Sequence, residues 1–197
     1  MKIILASQSP RRKQLMDSLK IPYEIFVSNV EEVIQPDLSI EEQVKRLSHI
    51  KAEAVYNEIS DDNEDKIIIA ADTIVFKNGK IYGKPKTEEE AIQNFKGFSD
   101  SEAEVITGLS IIVEQNGKMK EYQELDRVKI NFMKMDEQDI KLCLEKENVY
   151  DKAGGFYITG FTGAFIKHIE GTVMSVLGLP LNKVYEILKQ YKVFEEK

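Results

Sequence analysis

Two scarcities narrow the chemistry open to this 197-residue chain: it has one cysteine and two histidines. The lone Cys143 excludes an intramolecular disulfide and points to a reducing compartment, with cytoplasm as the expectation. His49 and His168 lie far apart in sequence, which leaves a zinc centre or a serine–histidine triad without support. Long apolar runs are missing too. No stretch approaches membrane-spanning length, and the run 3–6 is too short for a signal peptide. There is no basic excess either: the formal net charge is −7, which argues against a general nucleic-acid binder. It still leaves room for a small anionic ligand, because a few Arg and Lys in a cleft reverse the local potential. Internal repeats and low-complexity linkers are absent. What is present is an ordinary globular composition, 42% hydrophobic and 31% charged. The length predicts one domain over residues 1–197, large enough for a sizeable core.

Strand and helix patterns alternate along the chain. Residues 3–6 predict a strand, 11–19 a helix and 23–27 a second strand. Residues 40–59 read as a long helix with Ser39 as N-cap and Glu42 at the capping-box position. The polar stretch 60–66 reads as an exposed loop, and the β-branched run 66–76 as a buried strand. Asn78-Gly79 and Asn116-Gly117 are hairpin turn signals, the second joining long strands over 104–115 and 118–132. Helices are expected near 88–96 and 136–147. A glycine-rich segment 154–163 then leads to a strand near 164–169 and a last helix from 181. Hairpins mixed with helices predict an α/β fold with a mixed sheet.

Several residues stand where their chemistry is costly. Ser9 is a good N-cap and Pro10 fits the first helical position, so Arg11, Arg12 and Lys13 fall in the first turn. That end of a helix is positive, and three cations there oppose its dipole. A bound polyanion would relieve the conflict. The alternative is a solvated basic turn. Asp72 shares a strand face with Ile68, Ala70, Ile74 and Phe76. A carboxylate there needs a cation, a metal or hydrogen-bond donors, unless it sits at the strand end and accepts from a turn. Lys51 falls on the helical stripe of Val44, Leu47, Ala54 and Val55, and either snorkels to the rim or points a charge into a cleft. Pro85 holds Lys84 extended, and the pair Glu31-Glu32 offers a ligand for magnesium. Together these cations and carboxylates suit a metal-bound polyphosphate.

These residues, in this order, resemble the Maf family of nucleoside triphosphate pyrophosphatases. The family's Ser-x-Ser-Pro-Arg-Arg stands here as Ser7-Gln8-Ser9-Pro10-Arg11-Arg12. Glu31-Glu32 matches its acidic pair, Lys51-Ala52 its helical Lys-Ala, and Ala71-Asp72-Thr73 its Ala-Asp-Thr strand motif. Gly83-Lys84-Pro85, Asp151-Lys152-Ala153-Gly154 and Gly178-Leu179-Pro180-Leu181 complete the set. The resemblance spans nearly the whole chain.

It implies an inosine-triphosphatase-like α/β fold, with a long mixed sheet flanked by helices and a cleft between two lobes. The implied reaction cuts between the α and β phosphates, giving a nucleoside monophosphate and pyrophosphate. The family's proton acceptor maps onto Asp72; for that reaction the residues' own chemistry makes Lys51 and Lys84 the expected catalytic cations and Glu32 and Asp72 the expected holders of Mg²⁺ or Mn²⁺. Substrate contacts are expected from Ser7, Ser9, Arg11, Arg12, Thr73, Lys152 and Thr159. Arg-Arg after Pro10 and Thr after Asp72 look like the dTTP/UTP branch, whereas the 7-methyl-GTP branch resembles Trp-Arg and Asp-Gln there. One departure touches the base: Tyr157-Ile158-Thr159-Gly160 stands where that branch usually has Gly-Ile-Gln-Gly. A glutamine amide offers a pyrimidine edge both a donor and an acceptor, while Thr159 has only a hydroxyl. Two other readings stay open, a purine (inosine-type) triphosphatase and a weakly catalytic nucleotide-binding regulator of septum formation. The expected partner is a nucleoside triphosphate, with no stable nucleic acid and no membrane. A homodimer is compatible with the resemblance.

Overall fold

β-branched and small apolar residues fill the run that becomes the buried strand β3 (Lys66–Lys77). Its alternation decides what packs where. Ile67, Ile69 and Ala71 enter one core layer, while Ile68 and Ala70 enter another. β1 (Lys2–Leu5) lies parallel beside β3 and splits in the same way, Ile3 and Leu5 to the first layer and Ile4 to the second. Fully burying each such isoleucine contributes about 1.5–3 kcal/mol.

The computed structural model describes residues 1–27, 29–59 and 64–195. After β1 come α1 (Pro10–Ser18), β2 (Glu24–Ile25), α2 (Ile40–Glu58) and β3. They are followed by β4 (Lys80–Tyr82), α3 (Glu88–Phe98), β5 (Glu102–Gln115), β6 (Lys118–Phe132) and α4 (Glu137–Lys146). Two 3₁₀ turns, Ala153–Gly155 and Phe161–Phe165, precede β7 (Ile166–Glu170), α5 (Val173–Val176) and α6 (Leu181–Gln190). The sheet order is β2-β1-β3-β5-β6-β7, with β4 paired to β3. Parallel pairs (β1 with β2 and β3) coexist with antiparallel ones (β3 with β4, β6 with β7), so the α/β fold with a mixed sheet flanked by helices is as expected.

Local signals account for most element ends. Ser39 and Glu42 form the complete capping box that starts α2. Asn78 (φ 49°) and Gly79 (φ 77°) take the left-handed conformations of a two-residue hairpin, closing Lys77 onto Lys80. Asn116 and Gly117 do the same between β5 and β6. Three expectations need correction. The second strand is only Glu24–Ile25, because just those two residues pair with β1. At Lys66, where the expected loop 60–66 and strand 66–76 overlap, the strand reading holds and the loop reading does not: Lys66 opens β3 fully buried, donating to the Ile59 carbonyl at 3.1 Å with Glu114 at 3.6 Å. A lysine so placed serves the negative C-terminal end of α2. Residues 60–63 of the expected loop lie outside the described residues. Lastly, Ala164 and Phe165 belong to a 3₁₀ turn, so β7 begins at Ile166.

The chain forms two compact units. The first comprises Met1–Asp72, Thr107–Asp126 and Leu177–Lys197; the second comprises Thr73–Ile106 and Arg127–Val176. In the first, α1 contributes Leu15 and Met16, and α6 Val184, Ile187 and Leu188, to the layer holding Ile67 and Ile69. α2 contributes Ala52 and Val55 to the layer holding Ile68 and Ala70. α2 also comes very close to β5: a Cβ on Gly108 would lie 2.5 Å from the Val44 carbonyl oxygen. In the second unit Phe98 stacks on Phe132 at 5.1 Å and meets Phe156 edge-on at 5.7 Å. Cys143 is buried in that core, where desolvation pushes its thiol up to about 11, with Asp139 and Glu147 adding to the shift.

A polar tie also holds α2. Glu121 Oε1 accepts from Ser110 Oγ at 2.7 Å and Gln123 Nε2 at 3.2 Å, and lies 2.6 Å from His49 Nδ1. Burial alone would raise the Glu121 carboxyl, but these three hydrogen bonds outweigh it and hold the group below its ordinary value. Ionised Glu121 therefore stabilises the fold above its ordinary pKa, and that contribution is lost as the pH falls through the lowered folded-state value. Glu121→Gln should lower the denaturation midpoint at neutral pH, with the gap to wild type closing as the solution is acidified below the usual carboxylate range. Gly108→Ala should cost about 1–3 kcal/mol in denaturant unfolding, since the clash is with backbone that cannot swing away.

Candidate active site

β1 ends at Leu5 and the next four residues turn the chain into α1. Ser9 is extended (φ −66°, ψ 119°) and its hydroxyl caps the helix by accepting from the Arg12 amide at 3.5 Å. Pro10 follows in the first turn, as its fixed φ allows. The buried Ser7 hydroxyl accepts from the Ser9 amide at 3.1 Å and from Arg12 Nη1 at 3.3 Å. Arg12 Nε donates to the Gly178 carbonyl at 2.7 Å. Its guanidinium is thus held at two points and turned inward. Burial pushes Arg12 below its ordinary value, Asp72 opposes that, Arg11 reinforces it and Glu32 opposes it. A guanidinium keeps its charge regardless. Lys13 is exposed. The basic turn therefore divides: Arg12 is tethered inward, Arg11 is half-buried and close enough to act on it, and Lys13 faces solvent.

Asp72 continues the β3 face of Ile68 and Ala70, which is the face covered by α2. Lys51 stands one helical turn before Val55 on α2, so its stem reaches the same layer. The two meet. Lys51 Nζ lies 2.5 Å from Asp72 Oδ1 and 3.0 Å from Glu32 Oε1. The Lys51 and Asp72 side chains are 12% and 9% exposed, while Glu32 is 56% exposed. Of the two readings open for Lys51, the rim position is replaced by an inward charge. Removing either member of such a buried pair typically costs about 3–5 kcal/mol, because the other is left uncompensated.

Two carboxylates converging on one cation are also a fair donor set for a hard metal ion. Mg²⁺ is commonly bound through one or two carboxylates, with water and substrate phosphate completing its shell. Glu32 and Asp72 fit that pattern, and the ammonium between them marks where positive charge is favoured. Among the described residues no group of three or more His, Cys, Asp or Glu could hold a metal. Any ion here would depend on phosphate oxygens as well.

The second unit carries the other expected residues. Lys84 is exposed, between Gly83, whose carbonyl accepts from the Gly154 amide at 2.9 Å, and the buried Pro85. Lys152 is buried: its ammonium donates to the Asn148 carbonyl and to Asp151 Oδ1, both at 2.6 Å, and lies 5.3 Å from the Tyr157 ring centre. Thr73 follows Asp72 on β3 and is half-buried. Thr159 is exposed at the tip of a tight loop. That loop is held from below by two residues that the sequence does not single out. Glu147 Oε2 accepts from the Thr162 amide at 3.0 Å and hydroxyl at 2.8 Å, and Thr162 Oγ1 accepts from the Tyr157 amide at 2.6 Å. Gly160 makes room for Glu147, since a Cβ there would collide with its carboxylate. No local pattern announces these partners, because fifteen positions separate Glu147 from Thr162. Gly178 is visible in sequence only as a motif glycine; its positive φ of 102° and its carbonyl on Arg12 come from the structure.

A family model described as Maf-like protein matches residues 2–191. The chain is 40% identical over 192 residues to a dTTP/UTP pyrophosphatase of Bacillus velezensis, covering 98% of this chain and 97% of that one. It is 37% identical over 194 residues to a dTTP/UTP pyrophosphatase of Clostridium perfringens, covering 98% of each. A third, from Caldicellulosiruptor saccharolyticus, shares 36% over 189 residues, 96% of this chain and 94% of that one. With the motif residues held as described and similarity running through both units, the chain belongs to the Maf-like protein family.

Proposed function

We propose that this chain is a nucleoside triphosphate pyrophosphatase acting on dTTP and UTP, releasing the monophosphate and pyrophosphate. One observation carries the reading: a lysine ammonium lies between two carboxylates, Asp72 and Glu32, and both carboxylates also act on the Arg12 guanidinium at a capped helix N-terminus. Pure anion binding gains nothing from carboxylates beside phosphate, whereas hydrolysis needs one to handle the proton of water. The names of the relatives support the same reaction and the same bases. No specific observation favours the regulator or the inosine-type reading. The lone buried cysteine supports a reducing, cytoplasmic setting.

Ser7, Ser9 and the first turn of α1 bind phosphate oxygens, with Arg11 and Arg12 supplying charge. Asp72 accepts a hydrogen bond from the attacking water and takes its proton as the water oxygen bonds to the α-phosphorus. The bond from that phosphorus to the bridging oxygen breaks, and pyrophosphate leaves with the electron pair. Lys51 and Lys84 neutralise the charge that gathers on the leaving group. By the resemblance, Arg11, Thr73 and Thr159 bear on the choice of base, and Lys152 is a further substrate contact. Glu32 and Asp72 would hold Mg²⁺ or Mn²⁺, which when bound offsets phosphate charge.

Incubation with a panel of nucleoside triphosphates and Mg²⁺ or Mn²⁺, resolving pyrophosphate from phosphate, should give monophosphate and pyrophosphate from dTTP and UTP. Release of single phosphate refutes the assignment, and a purine preference moves it to another branch. Asp72→Asn should lower kcat by roughly 10²-fold or more with nucleotide binding retained; unchanged turnover removes Asp72 from the role of base. Lys84→Ala should weaken triphosphate binding more than monophosphate binding. Equal losses for both would count against its leaving-group role.

A further inference from the structure

We infer that this enzyme takes up the metal–triphosphate complex as its substrate and does not load a bare metal ion first, because Lys51 already occupies the metal's carboxylates. The inference rests on the proposed reading in which Glu32 and Asp72 serve the metal and Lys51 the phosphates. The ammonium sits 2.5 Å from Asp72 and 3.0 Å from Glu32, so it stands where a cation would bridge them. It is held there by more than charge. α2 is seated in the core through Ala52 and Val55, which follow Lys51 in the same stretch of helix, so the lysine stem cannot withdraw with its helix. The inner pair is largely shielded, with Lys51 and Asp72 nearly buried, and Glu32 is the more exposed partner.

A bare dication meets three obstacles. It must shed water, which Mg²⁺ does reluctantly. It must break two ion pairs and leave the displaced ammonium without its carboxylates, which Arg12 is also close enough to feel. And Arg11, Arg12 and Lys51 already supply positive charge around Glu32 and Asp72, which weakens the pull of these carboxylates on a further cation. A triphosphate removes all three obstacles together. It brings the negative charge that reverses the balance and the oxygens that complete the metal's shell. It also gives the ammonium, swinging on its flexible four-carbon stem, a new anionic partner. Metal and nucleotide then favour each other's binding by one shared factor.

The test is Mn²⁺ binding, followed by electron paramagnetic resonance of the free ion or by calorimetry, on nucleotide-free protein. Lys51→Met removes the charge and keeps an unbranched stem of similar reach. It should tighten Mn²⁺ at least about tenfold, or about 1.4 kcal/mol, while Lys51→Arg should stay as weak as wild type. Unchanged Mn²⁺ affinity in Lys51→Met overturns the inference. Wild type alone supplies a second arm should Lys51→Met not fold. A dTTP analogue with a methylene between the α and β phosphorus should tighten Mn²⁺ at least about tenfold, after correction for ion held by the analogue itself. Equal affinity with and without the analogue overturns the inference too. A protein that turns over dTTP yet binds bare Mn²⁺ tightly loses only this inference. One that neither binds Mn²⁺ with the analogue nor hydrolyses dTTP loses the underlying functional reading as well.

Discussion

The ion pair between Lys51 and Asp72 is the constraint on which the site turns. A carboxylate within a strand otherwise made largely of Ile, Ala and Val would be expensive to bury alone. The fold meets that cost with a lysine from the helix covering the same strand face, and both must stay in register for the pair to close. Everything that fixes α2 therefore bears on the pair: the capping box at Ser39, the side chains of Ala52 and Val55 in the core, the backbone contact at Gly108, and the polar tie from His49 to Glu121.

Much of this is legible in the sequence because short-range chemistry and periodicity point the same way. The Ser9 cap, the Ser39-Glu42 box and the Asn-Gly turns act within a few residues, and the structure realises each of them. The period-two pattern of β3 by itself puts Asp72 on the face of Ile68 and Ala70. Legibility ends where direction or distance matters. A stripe position places Lys51 on the right face of α2 but leaves open which way the ammonium travels. Lys66 reads as the end of a polar loop because Glu64 and Asp65 come just before it. Its partner is the Ile59 carbonyl, which only the folded end of α2 presents. The two-residue β2 cannot be told from a longer apolar run, since its limit is set by pairing with β1.

The second unit shows the same division between local and distant causes. Gly160 reads in sequence as a loop glycine, and its reason lies outside the loop, in the Glu147 carboxylate that fills the space beside it. Glu147 and Thr162 together give the exposed Thr159 a firm support. Thr159 is thus presented to solvent on a loop that Glu147 and Thr162 tie down.

Cys143 leaves the candidate chemistry indifferent to thiol-reactive conditions. Its sulfur lies in the aromatic and aliphatic interior of the second unit, and burial keeps it in the protonated, unreactive form at any physiological pH. The candidate site itself is made of hydroxyl, carboxylate, ammonium and guanidinium groups, none of which climbs the sulfur oxidation ladder. Peroxide or thiol-reactive stress therefore meets no thiolate on which this chain's chemistry depends.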